Sequence, residues 1–600
     1  MATGAEPGTA NGHVKLGHVK LGLALSGGGF RASFFHLGVL AQMAMQGLLR
    51  RVEVISTVSG GSIIGALYYL HVKRLLESDA DSDLTDGHYQ RLIEGIERDF
   101  FAAVQTNFRM STFADPVANY KIRRPDCSRS DRLADLYNDR LYQGVLPGLE
   151  PPIKIREIKI HPKGADPAFH PERDNHGRSA KVPILLVNAT TLNSGRNWRF
   201  TASRMGEPRR DDALAREIDK KAIRLRSPLS YTDTPPHQQD FTLGHAVAAS
   251  ACVPGIFYPL AISGLYRDPE TGEEIRVQLV DGGVHDNQGI QGLLDEACTH
   301  FIVSDASQQL DEEHGPATHF ESVLGRAAAI SQDRVREEQL FRLWGSTDRS
   351  RIAFMHLRAG LTTRAIAWLG PDGQAADPSQ DFLRPSISAA DFHVDDRVQD
   401  LISAIRTDLD SFTEVEACTL MADGYLMSDS ELNSLAAAVG GWPGGTPRPA
   451  DLAPPAWGFL KIKPWMERPN EAYLRQLKVA SFQFFKLFNL LLPGWAKGAL
   501  ALLALLALLA LAWILRDVTV SVGLVLLTLI LWGLNQYLPK LGRAVGVFRA
   551  LRAPVEAIVR LIARALIPML GSWLIKLHLK HIDPIFLRYC QIERLPPPGP

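Results

Sequence analysis

Six short runs of this 600-residue chain carry the apolar signal of strands, several of them apolar at nearly every position: LGLALS (21–26), VEVISTV (52–58), PILLVNAT (183–190), RVQLVDGG (276–283), HFIVSDAS (300–307) and RIAFMHL (351–357). A strand with one wet face alternates apolar and polar residues, so runs of this kind need cover on both faces. Longer helical patterns separate them, as in repeated β–α units. The expected fold class is therefore α/β, with a largely parallel sheet between helices in a domain over 21–310.

Outside these runs the pattern changes. Residues 1–20 have no apolar core and read as a flexible tail, not a secretory signal. Periodicity degrades between 75 and 181, where ESDADSDLTD (77–86) is an acidic solvated loop, and this region is expected to be an insertion between sheet strands. Residues 311–439 read as a helical extension, since FESVLGRAAAISQDRVREEQLFRLW (320–344) repeats apolar residues at three and four. GGWPGGTPRPADLAPP marks a linker at 440–456. The remainder, 457–600, reads as a membrane region. GALALLALLALLALAWIL (498–515) carries no charge, and at ~1.5 Å per residue it nearly matches the ~30 Å of bilayer hydrocarbon. Transmembrane helices are expected at about 498–515 and 518–538 as a hairpin, the alternative being a hairpin buried in a soluble core. Cations at its open end, including Lys497, Lys540 and Arg543, orient a multi-pass protein with its N-terminal domain facing the cytoplasm. An amphipathic segment at about 545–580 suits either an anionic membrane surface or a helix packed on the N-terminal domain. Lys plus Arg equals Asp plus Glu, 65 each, so no whole-chain field favours nucleic acid. Five scattered cysteines without a CxxC pair point to a reducing compartment and to neither a metal nor a disulfide framework.

Three Gly-bearing turns end three of the runs. In LALSGGGFRAS (23–33), the amides of Gly27, Gly28 and Gly29 precede a helix and form either an anion site or a tight turn without a ligand. In VISTVSGGSIIGA (54–66), Ser59 stands where a GxSxG elbow holds its nucleophile, with Thr57 in place of the leading glycine. Read alone, Ser59 is either a nucleophile or the hydroxyl of a tight turn. In VQLVDGGVHDNQGI (277–290), Asp281 ends a strand before two glycines, and Asp-Gly is also a common turn dipeptide. Open α/β folds place ligands at one edge of the sheet, and together the three turns would supply nucleophile, base and oxyanion donors for acyl transfer. His36, on the helix after the glycine loop, and His285, four residues after Asp281, are placed to approach Ser59 or else to be packed or solvated side chains. No cluster has metal spacing, and Asp286 with neighbouring amides does not make a calcium site.

In this order, GGGFR (27–31), TVSGG (57–61) and DGG (281–283) resemble the patatin-like phospholipases, lipid acyl hydrolases with a Ser–Asp dyad, over roughly 21–306. SGGGFRA is similar to the cytosolic phospholipase branch. The resemblance implies a patatin-like three-layer α/β/α sandwich, Ser59 as nucleophile, Asp281 as base, Gly27, Gly28 and Gly29 as the oxyanion hole, no essential histidine, and no cofactor or metal. Arg31 is the expected substrate-binding residue, its planar fork meeting a phosphate headgroup, or else bracing the loop against a carboxylate. The expected function is a membrane-anchored phospholipase or esterase acting through an acyl-enzyme on membrane phospholipid or another acyl lipid at the bilayer. An acyltransferase using the same acyl-enzyme is the alternative. A non-enzymatic lipid-binding scaffold is the third reading, and the intact Ser59 and Asp281 argue against it.

Overall fold

The computed structural model describes residues 19–115, 128–208, 225–363, 366–374, 387–438, 457–492 and 567–599. Its centre is a nine-stranded mixed sheet: β1 (Leu21–Leu25), β2 (Val52–Val58), β3 (Ile184–Thr191), β4 (Asn197–Phe200), β5 (Met205–Gly206), β6 (Leu260–Arg267), β7 (Glu274–Asp281), β8 (His300–Asp305) and β9 (Ile352–His356). The order is β5-β4-β3-β2-β1-β8-β9. All neighbours from β3 to β9 along this path pair in parallel, whereas β4 and β7 run antiparallel to β3. The sheet is thus mostly parallel, as its unbroken apolar runs require.

Helices cover both faces. Every residue of β1, β2 and β8 is buried. Leu21, Leu23 and Leu25 of β1 join the larger core with α1 (Gly29–Met45), α2 (Gly60–Ser78) and α3 (Asp86–Val104). The opposite face, through Ala24, Val54, Leu186 and Val303, packs on Leu293 and on Leu340 and Leu343 of a long helix, Phe320–Ser346. A two-residue period in the strand thereby feeds two separate cores.

Several expectations change against this frame. The region 75–181 lies between β2 and β3 and contributes to the core: Ile93, Ile96 and Phe100 of α3 are fully buried, and Phe100 packs edge-on against Phe30 and Phe34 of α1. Residues past 310 supply an edge strand, β9, and the helix Glu414–Ala438, which crosses α1. That crossing is close because Gly38 and Gly424 lack side chains; a Cβ at either would fall on a backbone carbonyl of the other helix. The described parts of 457–600 are also core-bound, through Trp457, Phe459, Tyr473, Leu477, Ile592 and Leu595. Of the segment at 545–580, the described helix Ile567–Leu577 packs on residues 108–114, with Ser572 Oγ donating to the Phe113 carbonyl at 3.2 Å.

The multi-pass membrane placement is corrected. Among the described residues no helix is long and apolar enough to cross a membrane. The longest, Phe320–Ser346, is interrupted throughout by charged side chains such as Arg326, Asp333 and Glu337, whereas a span needs about 20 predominantly apolar residues. The segments 498–515 and 518–538 lie outside the described residues, as do the 440–456 linker and residues 1–18 of the tail.

The glycine crossing is open to test. Gly38→Ala is expected to cost roughly 1–3 kcal/mol or more from overpacking, seen as a lower denaturant midpoint at unchanged slope.

Candidate active site

Two strand ends meet head to head along one flank of β3. β2 runs parallel to β3 and its pairing ends at Val58 opposite Asn188; β7 runs antiparallel and its pairing ends at Asp281 opposite Ala189. The other flank of β3 is occupied by β4 over the same residues. Ser59 and Asp281, some 220 residues apart by number, are therefore brought together by register alone. Gly282 is required at the junction, because a Cβ there would strike the Asn188 carbonyl and approach Val58.

Ser59 takes φ 49° and ψ −115°, a backbone state that costs a non-glycine residue on the order of 1–3 kcal/mol. It is held by its own amide, which donates to Ser250 Oγ at 2.9 Å, while Ser250 Oγ donates to the Asn188 carbonyl at 2.6 Å. Ser250 ends the helix Leu243–Ser250. Thr57 fits in place of the elbow's leading glycine because another glycine lies beneath it. A Cβ on Gly65 would come within 2.6 Å of Thr57 Cγ2. The Thr57 hydroxyl donates to the Leu186 carbonyl at 3.0 Å and accepts from Ser62 Oγ at 2.9 Å.

The glycine loop wraps over this turn. The Gly27 amide donates to the Asn287 carbonyl at 2.9 Å and is thus already committed, while Gly28 (φ 137°) and Gly29 (φ 57°) line the cavity with Ser59. Their amides have no acceptor among the described residues. Arg31 does not reach the cavity. It is buried, donating to the carbonyls of Ile405 at 2.8 Å and Ala306 at 2.8 Å, so it braces the loop against backbone oxygens instead of meeting a headgroup or a carboxylate. His36 is also buried beneath the loop: its Nε2–H donates to the Ser26 carbonyl at 2.9 Å and its Nδ1 accepts from Ser304 Oγ at 2.7 Å. Burial pushes its pKa down to about 4, so it stays neutral and structural. His285 does not line the cavity, and Asp286 caps a short helix through the amides of Gly289 and Gln291.

Asp281 is 6% exposed. Oδ1 accepts the Gly283 amide at 2.7 Å, and Oδ2 is buried with no completed hydrogen bond. Burial pushes its pKa up to about 6, against the opposing pull of the Ser59 hydroxyl and the Gly283 amide. A carboxylate with one free oxygen beside a strained serine hydroxyl can take that hydroxyl's proton, and such contacts commonly tighten only when substrate binds. The cavity before them has a volume of about 290 Å³, with Val253, Ile256, Phe257, Val284 and Leu409 as its apolar wall. Among the described residues no cluster of His, Cys, Asp and Glu is arranged to hold a metal ion.

Residues 23–294 match the family model of patatin-like phospholipases. This part of the chain is a patatin-like phospholipase domain. Similar solved structures include human GIVD cytosolic phospholipase A2 in complex with methyl gamma-linolenyl fluorophosphonate, 14% identical, covering 70% of this chain and 59% of that one at a TM-score of 0.35. VipD from Legionella pneumophila is 13% identical, covering 70% of this chain and 67% of that one at a TM-score of 0.26. No curated protein matches the chain.

The patatin-like domain does not complete the cavity alone. Gln308, Gln332, Asp408, Leu409 and Gln483 also line it, all from beyond residue 294. Asp408 is a second cavity carboxylate, paired with Arg109; burial and the nearby Asp410 push its pKa up to about 6 against the pull of Arg109. None of these residues was singled out from sequence, because they carry no motif. Asn287 falls within VQLVDGGVHDNQGI, quoted above, and Ser250 lies in AVAASACVPG (246–255), yet only the fold gives them a role.

Two measurements check this geometry. Gly65→Ala should destabilise the chain, and Thr57→Ser, which removes only Cγ2, should restore much of the loss, with a coupling of roughly 0.5–3 kcal/mol in a double-mutant cycle. Because folding raises the pKa of Asp281 from 3.8 to about 6, its favourable contribution is complete below the unfolded value and lost as pH rises through the folded one. Asp281→Asn should accordingly melt higher than the parent above about pH 7, with the difference closing as pH falls toward about 4.

Proposed function

We propose that the chain is a serine lipid acyl hydrolase of phospholipase or esterase type in which Ser59 is the nucleophile and Asp281 the base. The observation that carries this reading is the head-to-head meeting of β2 and β7, which sets a strained serine beside a desolvated carboxylate under two uncommitted glycine amides. The patatin-like domain supports a lipid acyl hydrolase, and acyl lipid is the substrate class the family implies.

Asp281 accepts the proton of Ser59 Oγ as that oxygen attacks the ester carbonyl. The amides of Gly28 and Gly29 receive the oxyanion; Gly27, expected to share this role, contributes by holding the loop on Asn287. Collapse, with Asp281 passing that proton to the departing oxygen, expels the alcohol, here the lyso-lipid or its equivalent, and leaves an acyl–Ser59 ester. Water, deprotonated by Asp281, then attacks the acyl carbonyl, and Asp281 returns the proton to Ser59 Oγ as the fatty acid leaves. The acyl chain lies against Val253, Ile256 and Phe257, and Val253, Ile256 and Val284 are each more than a third exposed at the mouth. This rim suits substrate presented by a lipid aggregate.

Labelling by a fluorophosphonate probe, lost in Ser59→Ala, is the deciding experiment; a Ser59→Ala chain with undiminished esterase activity would end this reading. Gly28→Ala, whose Cβ would lie 2.7 Å from the Ala306 carbonyl oxygen, should lower kcat roughly 10²–10³-fold through the displaced amide. The base works only when ionised, so kcat/KM should fall on the acid side, with a midpoint near about 6.

A further inference from the structure

The glycine loop rests on a segment far outside the patatin-like domain. The Phe30 amide donates to the Asp408 carbonyl at 2.9 Å. A Cβ on Gly29 would lie 2.6 Å from that oxygen and 2.8 Å from the Asp408 nitrogen. Where the Asp408 peptide stands therefore decides where the Gly28 and Gly29 amides point.

That peptide is held from behind, away from the cavity. Asp410 accepts from Arg406 Nε at 2.9 Å and from Lys486 Nζ at 2.6 Å, and Arg406 also pairs with Glu416 at 2.6 Å. Ser411 Oγ donates to Asp583 Oδ1 at 2.8 Å, and Asp583 Oδ2 accepts from Asn107 Nδ2 at 2.8 Å. The Arg109 amide donates to the Leu409 carbonyl at 2.8 Å. Asp410, Arg406, Lys486 and Asp583 are all buried, and none of them lines the cavity. Apolar residues of similar volume often replace buried ion networks without loss of stability, so packing alone does not call for this one. Its distinguishing property is direction: it ties residues 408–411 to the chain at 486 and at 583.

We propose that Lys486 and Asp583 are positioning residues for the acyl-transfer step, setting the oxyanion amides through Asp410, Ser411 and the Asp408 peptide. The inference rests on the reading of Ser59 as nucleophile. Amides displaced from the developing oxyanion weaken transition-state binding, while Val253, Ile256 and Phe257, against which the acyl chain lies, are outside the displaced segment. The signature is a fall in kcat at constant KM.

The test is steady-state hydrolysis of p-nitrophenyl butyrate by the full chain carrying Lys486→Met, Lys486→Arg or Asp583→Asn. Lys486→Met and Asp583→Asn should lower kcat roughly tenfold to a hundredfold with KM held within about twofold, and Lys486→Arg, which keeps a cation on Asp410, should recover most of it. Folded variants with a lowered melting temperature but parental kcat would overturn the proposal and leave the network purely structural. If Lys486→Met does not fold, Asp583→Asn decides by the same criterion, since it preserves size and one acceptor. Fluorophosphonate labelling of the parent chain separates the two layers. Absence of labelling at Ser59 overturns the underlying reading, whereas normal labelling with unchanged kcat in Asp583→Asn overturns the positioning role alone.

Discussion

Everything at the candidate site depends on how β3 shares one of its flanks. Val58 pairs with Asn188 and Asp281 pairs with Ala189, so two strands from opposite directions end against each other on adjacent residues of a third. Backbone hydrogen bonds define that register, and a slip of one residue would turn every side chain of the slipped strand to the other face. The meeting of Ser59 with Asp281 is thus as firm as the sheet itself.

The site is assembled against local preference. Ser59 holds a strained backbone, Asp281 is a buried carboxylate, and Gly28 and Gly29 occupy positive φ. Such features persist only where surrounding structure over-determines them. Here the restraint is specific: Ser250 bridges the Ser59 amide and the Asn188 carbonyl, and Asn287 holds Gly27. The Ser26 carbonyl accepts from both His36 and Gly61. Arg31 belongs to the same scaffolding, since its guanidinium ties the first turn of α1 to Ala306 and Ile405.

The scaffolding also explains why the chain does not divide where its composition does. Residues beyond 294 add an edge strand, cover α1 with a glycine-lined helix crossing, and floor the glycine loop with Asp408. The C-terminal portions 457–492 and 567–599 join this same core. The described residues of the domain, the extension and the C-terminal region thus share one core.

Much of this was legible in the residues. The strand runs near 21, 52, 184, 300 and 352 are continuous apolar stretches, and burial on both faces follows from that pattern. SGGGFR, TVSGG and VDGG each advertise a turn through glycine. The buried helix Asp86–Val104 was missed because an acidic loop precedes it, although Tyr89, Ile93, Ile96 and Phe100 keep its period. For Arg31 the residues alone offer a phosphate headgroup or a carboxylate as partner, because both suit a guanidinium beside a glycine loop, whereas three-dimensional packing gives it the carbonyls of Ala306 and Ile405. What the sequence by itself determined is local: which segments are strands, which turns need glycine, and which residue types carry chemistry, because propensity and periodicity act over a few neighbours. Only the tertiary structure decided which turns meet, that Thr57 is accommodated by Gly65, that one of three glycine amides is already committed, and that Asp408 supports the loop, because contacts between residues hundreds of positions apart leave no periodic trace along the chain.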